Sequence, residues 1–404
     1  MVGPVKLLRQ AASTQAGNLE TTSYAAICKR GVVELVGENA TRLLQGLVTN
    51  DMSLLHGSAL GKASQAQAQA LLMPNGRVLS DAFVVATKDE SRILLDCPHG
   101  MTSHIVKHLK LYKLRSKVKI RDASECSSVF VIGACVDRDR TWKQAERMAE
   151  AVAVEQLGDT ARDSGEQLVY CDTRCPQMGV RVITQRGNAE AADSDGGGGV
   201  GTVLALSMTP KQKERYSIGA DGNLHTFCQA GDCNGNAHLS TALQALSTLG
   251  HNVACASEQY IKVLRCLNGL GEGAELANRI PLECNLDQTH HISFTKGCYI
   301  GQELTARTHF KGQVRKRILP FFLAKPGTAQ AGPNSLSSLT HHMGSGFVNE
   351  DMFEHWKQGD DHMPNGAAII DKVSGNRVGE IVAQANGFGV GLAMLRLGEP
   401  GLRA

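Results

Sequence analysis

The chain has 404 residues, and its 42 Lys and Arg against 39 Asp and Glu leave a net charge of +3, which excludes a global field that would single out nucleic acid or an anionic membrane as its partner. No run of eighteen apolar residues is present to cross a bilayer. Aromatics at 4% leave the core to aliphatic packing, and the length suggests two or three structural units or one large composite domain.

From the N-terminus, Lys6, Arg9, Ser13 and Thr14 precede the first acidic residue, Glu20. Residues 1–20 thus have the composition of an organellar transit segment, although any basic terminus would read the same way. Val32 to Val36 is strand-like, and Glu38 to Leu47 carries Ala40, Leu43, Leu44 and Leu47 at helical spacing, closing at Thr49-Asn50-Asp51. Ala70 to Met73 and Val78 to Ala86 flank Pro74-Asn75-Gly76, which predicts a hairpin. Ile93 to Asp96 reads as a strand, His104 to Leu111 as a helix and Ser116 to Ile120 as a strand. Residues 186–201, with glycines at 196 to 199, and 211–238 read as polar insertions. After Arg317, the segments Ile318 to Leu323, Ala367 to Ile370, Arg377 to Ala383 and Gly389 to Leu395 are short strands that suit a small barrel. The class is α+β, with sheets covered on one face by helices.

Twelve cysteines run from Cys28 to Cys298 with no Cys-x-x-Cys pair, which argues against a disulfide framework and a zinc ribbon. Cys171 with Cys175 and Cys228 with Cys233 lack a complementary pair and read as incidental thiols. The histidine doublets His290-His291 and His341-His342 fall in loop-like surroundings, so no built-in metal site is expected.

Lys107, Lys110, Lys113, Arg115, Lys117, Lys119 and Arg121 lie in a stretch without acidic residues from Cys97 onward. That run suits either an anionic ligand or a solvated face. With Tyr112 as its one aromatic, it lacks the stacking platform of a nucleic-acid site. Lys311, Arg315, Lys316 and Arg317 form a second cluster with the same two readings.

The densest chemical segment is Lys296-Gly297-Cys298-Tyr299-Ile300-Gly301-Gln302-Glu303, followed by Leu304-Thr305-Ala306-Arg307-Thr308-His309. The glycines allow a tight turn, and Gln302 to Thr308 can form a short helix. Cys298 would sit just ahead of it, where N–H groups, the helix dipole and Lys296 favour thiolate; a buried, inert thiol is the alternative.

This segment, with Ile280-Pro281-Leu282-Glu283-Cys284-Asn285-Leu286-Asp287 before it, resembles the signature of the YgfZ/GcvT family of folate-binding-like proteins. More narrowly, it resembles the branch of mitochondrial iron–sulfur cluster assembly factors, often labelled transferases. The resemblance extends to Val33-Glu34-Leu35, Leu44-Gln45-Gly46-Leu47-Val48-Thr49-Asn50-Asp51, Asn75-Gly76-Arg77, Asp172-Thr173-Arg174, Gly179 and Gly391-Leu392-Ala393. It covers most of the chain outside the insertions, and the Cys-containing octapeptide is its most specific part.

The resemblance implies an aminomethyltransferase-like cloverleaf of α+β units over residues 21–316 and a C-terminal β-barrel over 317–404. It also implies a matrix protein that supports maturation of four-iron, four-sulfur proteins with A-type carrier proteins and recipient apoproteins. Neither nucleic acid nor integral membrane association is expected. Cys298 is the expected functional thiol and a transient, shared metal ligand, with no stably bound metal. Lys296, Gly297, Tyr299, Gly301, Gln302 and Glu303 would shape the site, and Arg307 would assist an anion. The alternative function is a tetrahydrofolate-dependent aminomethyl transferase. Against it, Ser80-Asp81 stands where that branch has paired aspartates, and Leu267 stands where it holds the pterin with Glu. Any tetrahydrofolate would then be held loosely, through Arg or Lys.

Overall fold

The computed structural model describes residues 22–55, 66–87, 89, 91–134, 141–156, 167–185, 252–255, 258–322, 363–371, 374–385 and 389–397. The expected transit segment, both insertions, Cys228, Cys233 and His341-His342 lie outside these residues.

In chain order come β1 (Thr22–Cys28), β2 (Arg30–Val36), α1 (Ala40–Gln45), β3 (Ala66–Leu72), β4 (Val78–Ala86), β5 (Arg92–Pro98), α2 (Thr102–Lys113), β6 (Lys119–Asp122) and β7 (Ser127–Ala134). They are followed by α3 (Trp142–Gln156), β8 (Gln167–Cys171), β9 (Val180–Gln185), β10 (Asn252–Cys255), α4 (Glu258–Leu267) and α5 (Gln302–Phe310). The described chain closes with β11 (Lys316–Phe322), β12 (Ala368–Ile370), β13 (Arg377–Ala385) and β14 (Val390–Arg396).

Three sheets result, in the orders β3-β4-β5-β2-β6, β10-β1-β7-β9-β8 and β11-β14-β13-β12. All pairings are antiparallel except β1 with β10. The hairpin expected at Pro74-Asn75-Gly76 joins β3 and β4. The C-terminal strands form an open four-stranded sheet among the described residues, and residues 323–362, where a barrel would need further strands, are not among them.

Strand alternation explains the layering. Val33 and Leu35 of β2 pack with Leu44, Ile93, Leu95, Ile105 and Leu109 under α1 and α2. Val32, one residue away, faces the other way and packs with Phe83 and Leu94 against Leu168, Tyr170 and Ile183 of the second sheet. The outer face of that second sheet, including Ile132 and Val182, is covered by Ala149 and Val152 of α3. The order is therefore helices, sheet, sheet, helix. Helix α4 sits in another core with Val131, Leu282, Ile318 and Leu392, which joins the second sheet to the C-terminal one.

The layer between the two sheets is not wholly apolar. Arg30 lies on the same strand face as Val32, Asp96 on that of Leu94, and Tyr170 and Arg181 on those of Leu168 and Ile183. Arg30 donates to Asp96 at 2.6 Å and to Glu272 at 3.0 Å. Arg174 pairs with Asp172 at 2.7 Å and Glu272 at 2.5 Å. Arg181 bridges Asp96 at 3.1 Å and Asp172 at 3.0 Å, while Arg265 binds Glu275 at 2.5 Å. The Tyr170 hydroxyl donates to Asp96 at 2.7 Å, and the Arg174 and Arg181 guanidinium groups lie over the Phe83 ring.

Four guanidinium groups thus meet four carboxylates. A fifth carboxyl, Asp81, is pushed up by burial and then by Glu272, which favours its neutral form. Burial works against ionised Asp172 as well, but Arg174 and Arg181 overrule it and hold the group at about 2, below the ordinary 3.8. Its contribution to stability should be present above about pH 4 and lost as pH falls toward 2. Asp172→Asn leaves two guanidinium groups short of a partner and should cost about 3–5 kcal/mol, read by urea unfolding. The variant should also show a shallower loss of stability in acid than the parent.

Candidate functional site

The signature loop is held from beneath. Lys296 is 7% exposed, and its ammonium donates to the backbone carbonyls of Gln45, Val48 and Asn50 at 2.8, 2.7 and 2.9 Å. Burial pulls it down to about 8, so at neutral pH it is still protonated and carries three donors for three acceptors. The Tyr299 ring, itself buried, lies 4.9 Å from that ammonium. The Ile300 amide donates to Gly46 O, the Ser293 amide to Thr49 O, the Thr49 hydroxyl to His291 O and the Asn50 amide group to His290 O. Two motifs roughly 250 residues apart in the chain, 44–51 and 296–303, are therefore stitched into one unit.

Glycine makes the second attachment. Gly301 has φ +79° and precedes α5; a Cβ there would come within 2.5 Å of Met73 O and 2.8 Å of the Leu72 Cβ. Gly76, with φ +82°, would meet Leu304 in the same way. The hairpin and the start of α5 therefore touch backbone to backbone, an approach no larger residue permits. Behind them, Arg317 pairs with Asp287 at 2.9 Å, and the Asn285 side chain donates to Ile318 O at 2.6 Å, tying the segment 280–287 to β11.

On this clamped base, Gly297 and Cys298 face solvent. Cys298 is the one exposed thiol among the described residues. Burial pushes Cys28, Cys97, Cys171, Cys175 and Cys284 up to about 12 and Cys266 to about 11, which makes them poor nucleophiles and poor metal ligands. Gln302 opens α5 half-buried, as expected from the sequence, and the helix runs to Phe310. Glu303 and Arg307 pair with each other one turn apart on its exposed face. The Lys296 ammonium is taken up by the 45–50 carbonyls and so shapes the loop from beneath.

Sequence reasoning missed the second feature, a cavity of about 550 Å³ lined by, among others, Arg30, Arg181, Glu258, Arg265, Glu272 and Glu275. Asp81 reaches its wall, where Oδ1 accepts the Gly273 amide at 2.7 Å while Oδ2 is buried without a hydrogen-bond partner. Each wall carboxylate already has a protein donor: Arg30 and Arg174 on Glu272, Arg265 on Glu275, and the Lys29 amide on Glu258. The sequence offered Glu-x-x-Glu at 272–275 as a signal, and the two do form a capping box.

A scan against protein-family profiles finds no match. The mitochondrial iron-sulfur cluster assembly factor IBA57 homolog of Mycosarcoma maydis is 32% identical over 314 residues, covering 75% of this chain and 58% of that protein. The homolog of the same name from Aspergillus oryzae is 30% identical over 74% of this chain and 56% of its own length. That from Neosartorya fischeri is 28% identical over 395 residues, 93% of this chain and 70% of the relative. The chain is similar in sequence to these assembly factors. It spans little more than half the length of the first two. Among solved structures, the glycine cleavage system aminomethyltransferase T from Bartonella henselae superposes with a TM-score of 0.53 at 13% identity, over 98% of this chain and 90% of that one. The fold is thus the α+β aminomethyltransferase fold that the resemblance implied.

The clamp and the thiol should separate in stability measurements. Lys296→Met strands three buried carbonyls and should cost about 3 kcal/mol. Gly301→Ala should cost about 1–3 kcal/mol through its φ and the close Met73 carbonyl. Gly297→Ala, with no atom within 4 Å of the new Cβ, and Cys298→Ser should unfold in urea like the parent.

Proposed function

We propose that this chain is an iron–sulfur cluster assembly factor of the mitochondrial matrix that supports maturation of four-iron, four-sulfur proteins, acting with A-type carriers and recipient apoproteins. The observation that carries the reading is Cys298, an exposed thiol on a loop whose backbone is fixed from both sides. The names of the sequence relatives support it. A division into residues 21–316 and 317–404, with a transit segment at 1–20, belongs to the same reading.

A thiolate-held four-iron cluster needs about four ligands, and among the described residues no group of three His, Cys, Asp or Glu side chains is placed to hold a metal ion. Cys298 therefore acts as one ligand of a transient site whose remaining thiols come from the carrier. Gly297 leaves room for a partner to approach, Tyr299 and Lys296 keep the loop from folding back, and Arg307, paired with Glu303, borders the contact. Cys298→Ser removes a soft ligand while preserving size. In cells depleted of the protein, the Ser variant should fail to restore aconitase-type activity while two-iron enzymes keep theirs. Full rescue by the Ser variant would remove Cys298 from the mechanism.

The fold raises aminomethyl transfer as a second reading, and the cavity is large enough for a folate head group. The residues present do not fit a pterin. Its adjacent N–H donors need an ionised, buried carboxylate with acceptors to spare, whereas Glu272 and Glu275 are committed to arginines, burial and Glu272 push Asp81 toward its neutral form, Glu258 is exposed, and Leu267 has no acceptor to offer. Tetrahydrofolate should bind weakly and lose affinity as salt rises, measured by calorimetry at low and high ionic strength. Tight, salt-insensitive binding would restore the transferase reading.

A further inference from the structure

The basic run noted in the sequence belongs to neither the signature loop nor the cavity core. Helix α2 buries Thr102, Ile105, His108 and Leu109 against the first sheet and turns Lys107, Lys110 and Leu111 to solvent. Leu111 is 66% exposed and Leu114, at the helix end, 85%. Leu111 lies in the last turn of the helix and Leu114 is the residue that caps it. Leu114 has φ +48°, a backbone setting that disfavours any residue with a Cβ, yet the position carries a large apolar side chain held outward. A single exposed leucine needs no explanation; here two lie at the same helix end, within a few residues of the exposed Lys107, Lys110, Arg115 and Lys117.

The carboxylates of the elements packed here are few: Glu38 follows β2 beside the 117–119 segment, and others lie on the strands. Glu34 on β2 is taken by Arg92 and Arg121, Asp122 on β6 accepts from Ser124, and Asp96 on β5 lies in the buried lattice. Although the whole chain is nearly neutral, residues 107–121 carry seven Lys and Arg and no acidic residue.

We infer that the C-terminal end of α2 is a peripheral docking site for an anionic lipid bilayer. Leu111 and Leu114 enter the boundary between headgroups and acyl chains, and the surrounding lysines and arginine meet lipid phosphates, their long stems lying along the apolar surface. A nucleic acid would leave the two leucines without a role, and Tyr112, half-buried against His108, offers no stacking face. Charge complementarity and the paired leucines together fit a bilayer.

The test uses the full chain in sedimentation with vesicles of equimolar phosphatidylglycerol and phosphatidylcholine, against phosphatidylcholine alone. The protein should sediment with the anionic vesicles only, and added salt should release it. Lys107→Gln, Lys110→Gln and Lys117→Gln combined should lower partitioning roughly a hundredfold, about fivefold per charge. Leu111→Asn with Leu114→Gly should lower it roughly tenfold; glycine suits the local φ, and an unchanged melting temperature verifies the fold. Independently, Leu114→Trp should shift its emission to the blue on anionic vesicles. Absence of vesicle binding, or binding unaffected by the leucine changes, would overturn the inference. So would capture of a single-stranded oligonucleotide or of polyglutamate by this face without vesicle binding, which would assign it to nucleic acid or to an acidic protein.

Discussion

The architecture turns on charge buried between two sheets. Arg30 and Asp96 come from the first sheet, Arg181 and Tyr170 from the second, Asp172 and Arg174 from the turn beyond β8, and Glu272 from the loop after α4. Each guanidinium reaches carboxylates on different elements, so none can shift without stranding a charge in a low-dielectric layer. An apolar interface could slide; hydrogen-bonded forks fix angle and register. Because Glu272 and Arg265 also line the cavity, the same lattice that orients the sheets occupies the Glu272 acceptors.

The signature loop repeats this logic at smaller scale. One ammonium collects three carbonyls that would otherwise point into the protein unpaired, and two left-handed glycines let α5 approach the hairpin. A loop held so firmly can present an exposed cysteine at a constant position. Such constancy suits a ligand completed by a second protein, since a mobile thiol would lose more entropy on assembly. The basic end of α2, with its exposed leucines, stands on a different element from the signature loop.

Local signals were read well where neighbouring residues decide the outcome. The helix expected from Gln302 to Thr308 runs from Gln302 to Phe310, Val78 to Ala86 is a strand over that span, and the Pro74-Asn75-Gly76 turn joins two strands. The resemblance carried by the Cys298 octapeptide pointed to the fold. Strands β8 and β9 were missed: Tyr170 and Arg181 sit at positions where a buried strand is expected to be apolar, and their partners lie far along the chain. The exposed basic run on α2 was read only as an open choice, because sequence does not tell which side of a helix the sheet covers.

What the sequence determined by itself was therefore chemical identity and short-range form: the glycines, the cysteine with its flanking residues, the turns and the strand periods. Tertiary structure decided where the charges go. Lys296 reads in sequence as a base beside a thiol, but folding places its ammonium on carbonyls of residues 45, 48 and 50. Arg30 finds Asp96 at a separation of 66 residues and Glu272 at 242. Those pairings depend on chain topology and on the cost of leaving a charge unpaired in the interior, and neither is written in any local pattern of residues.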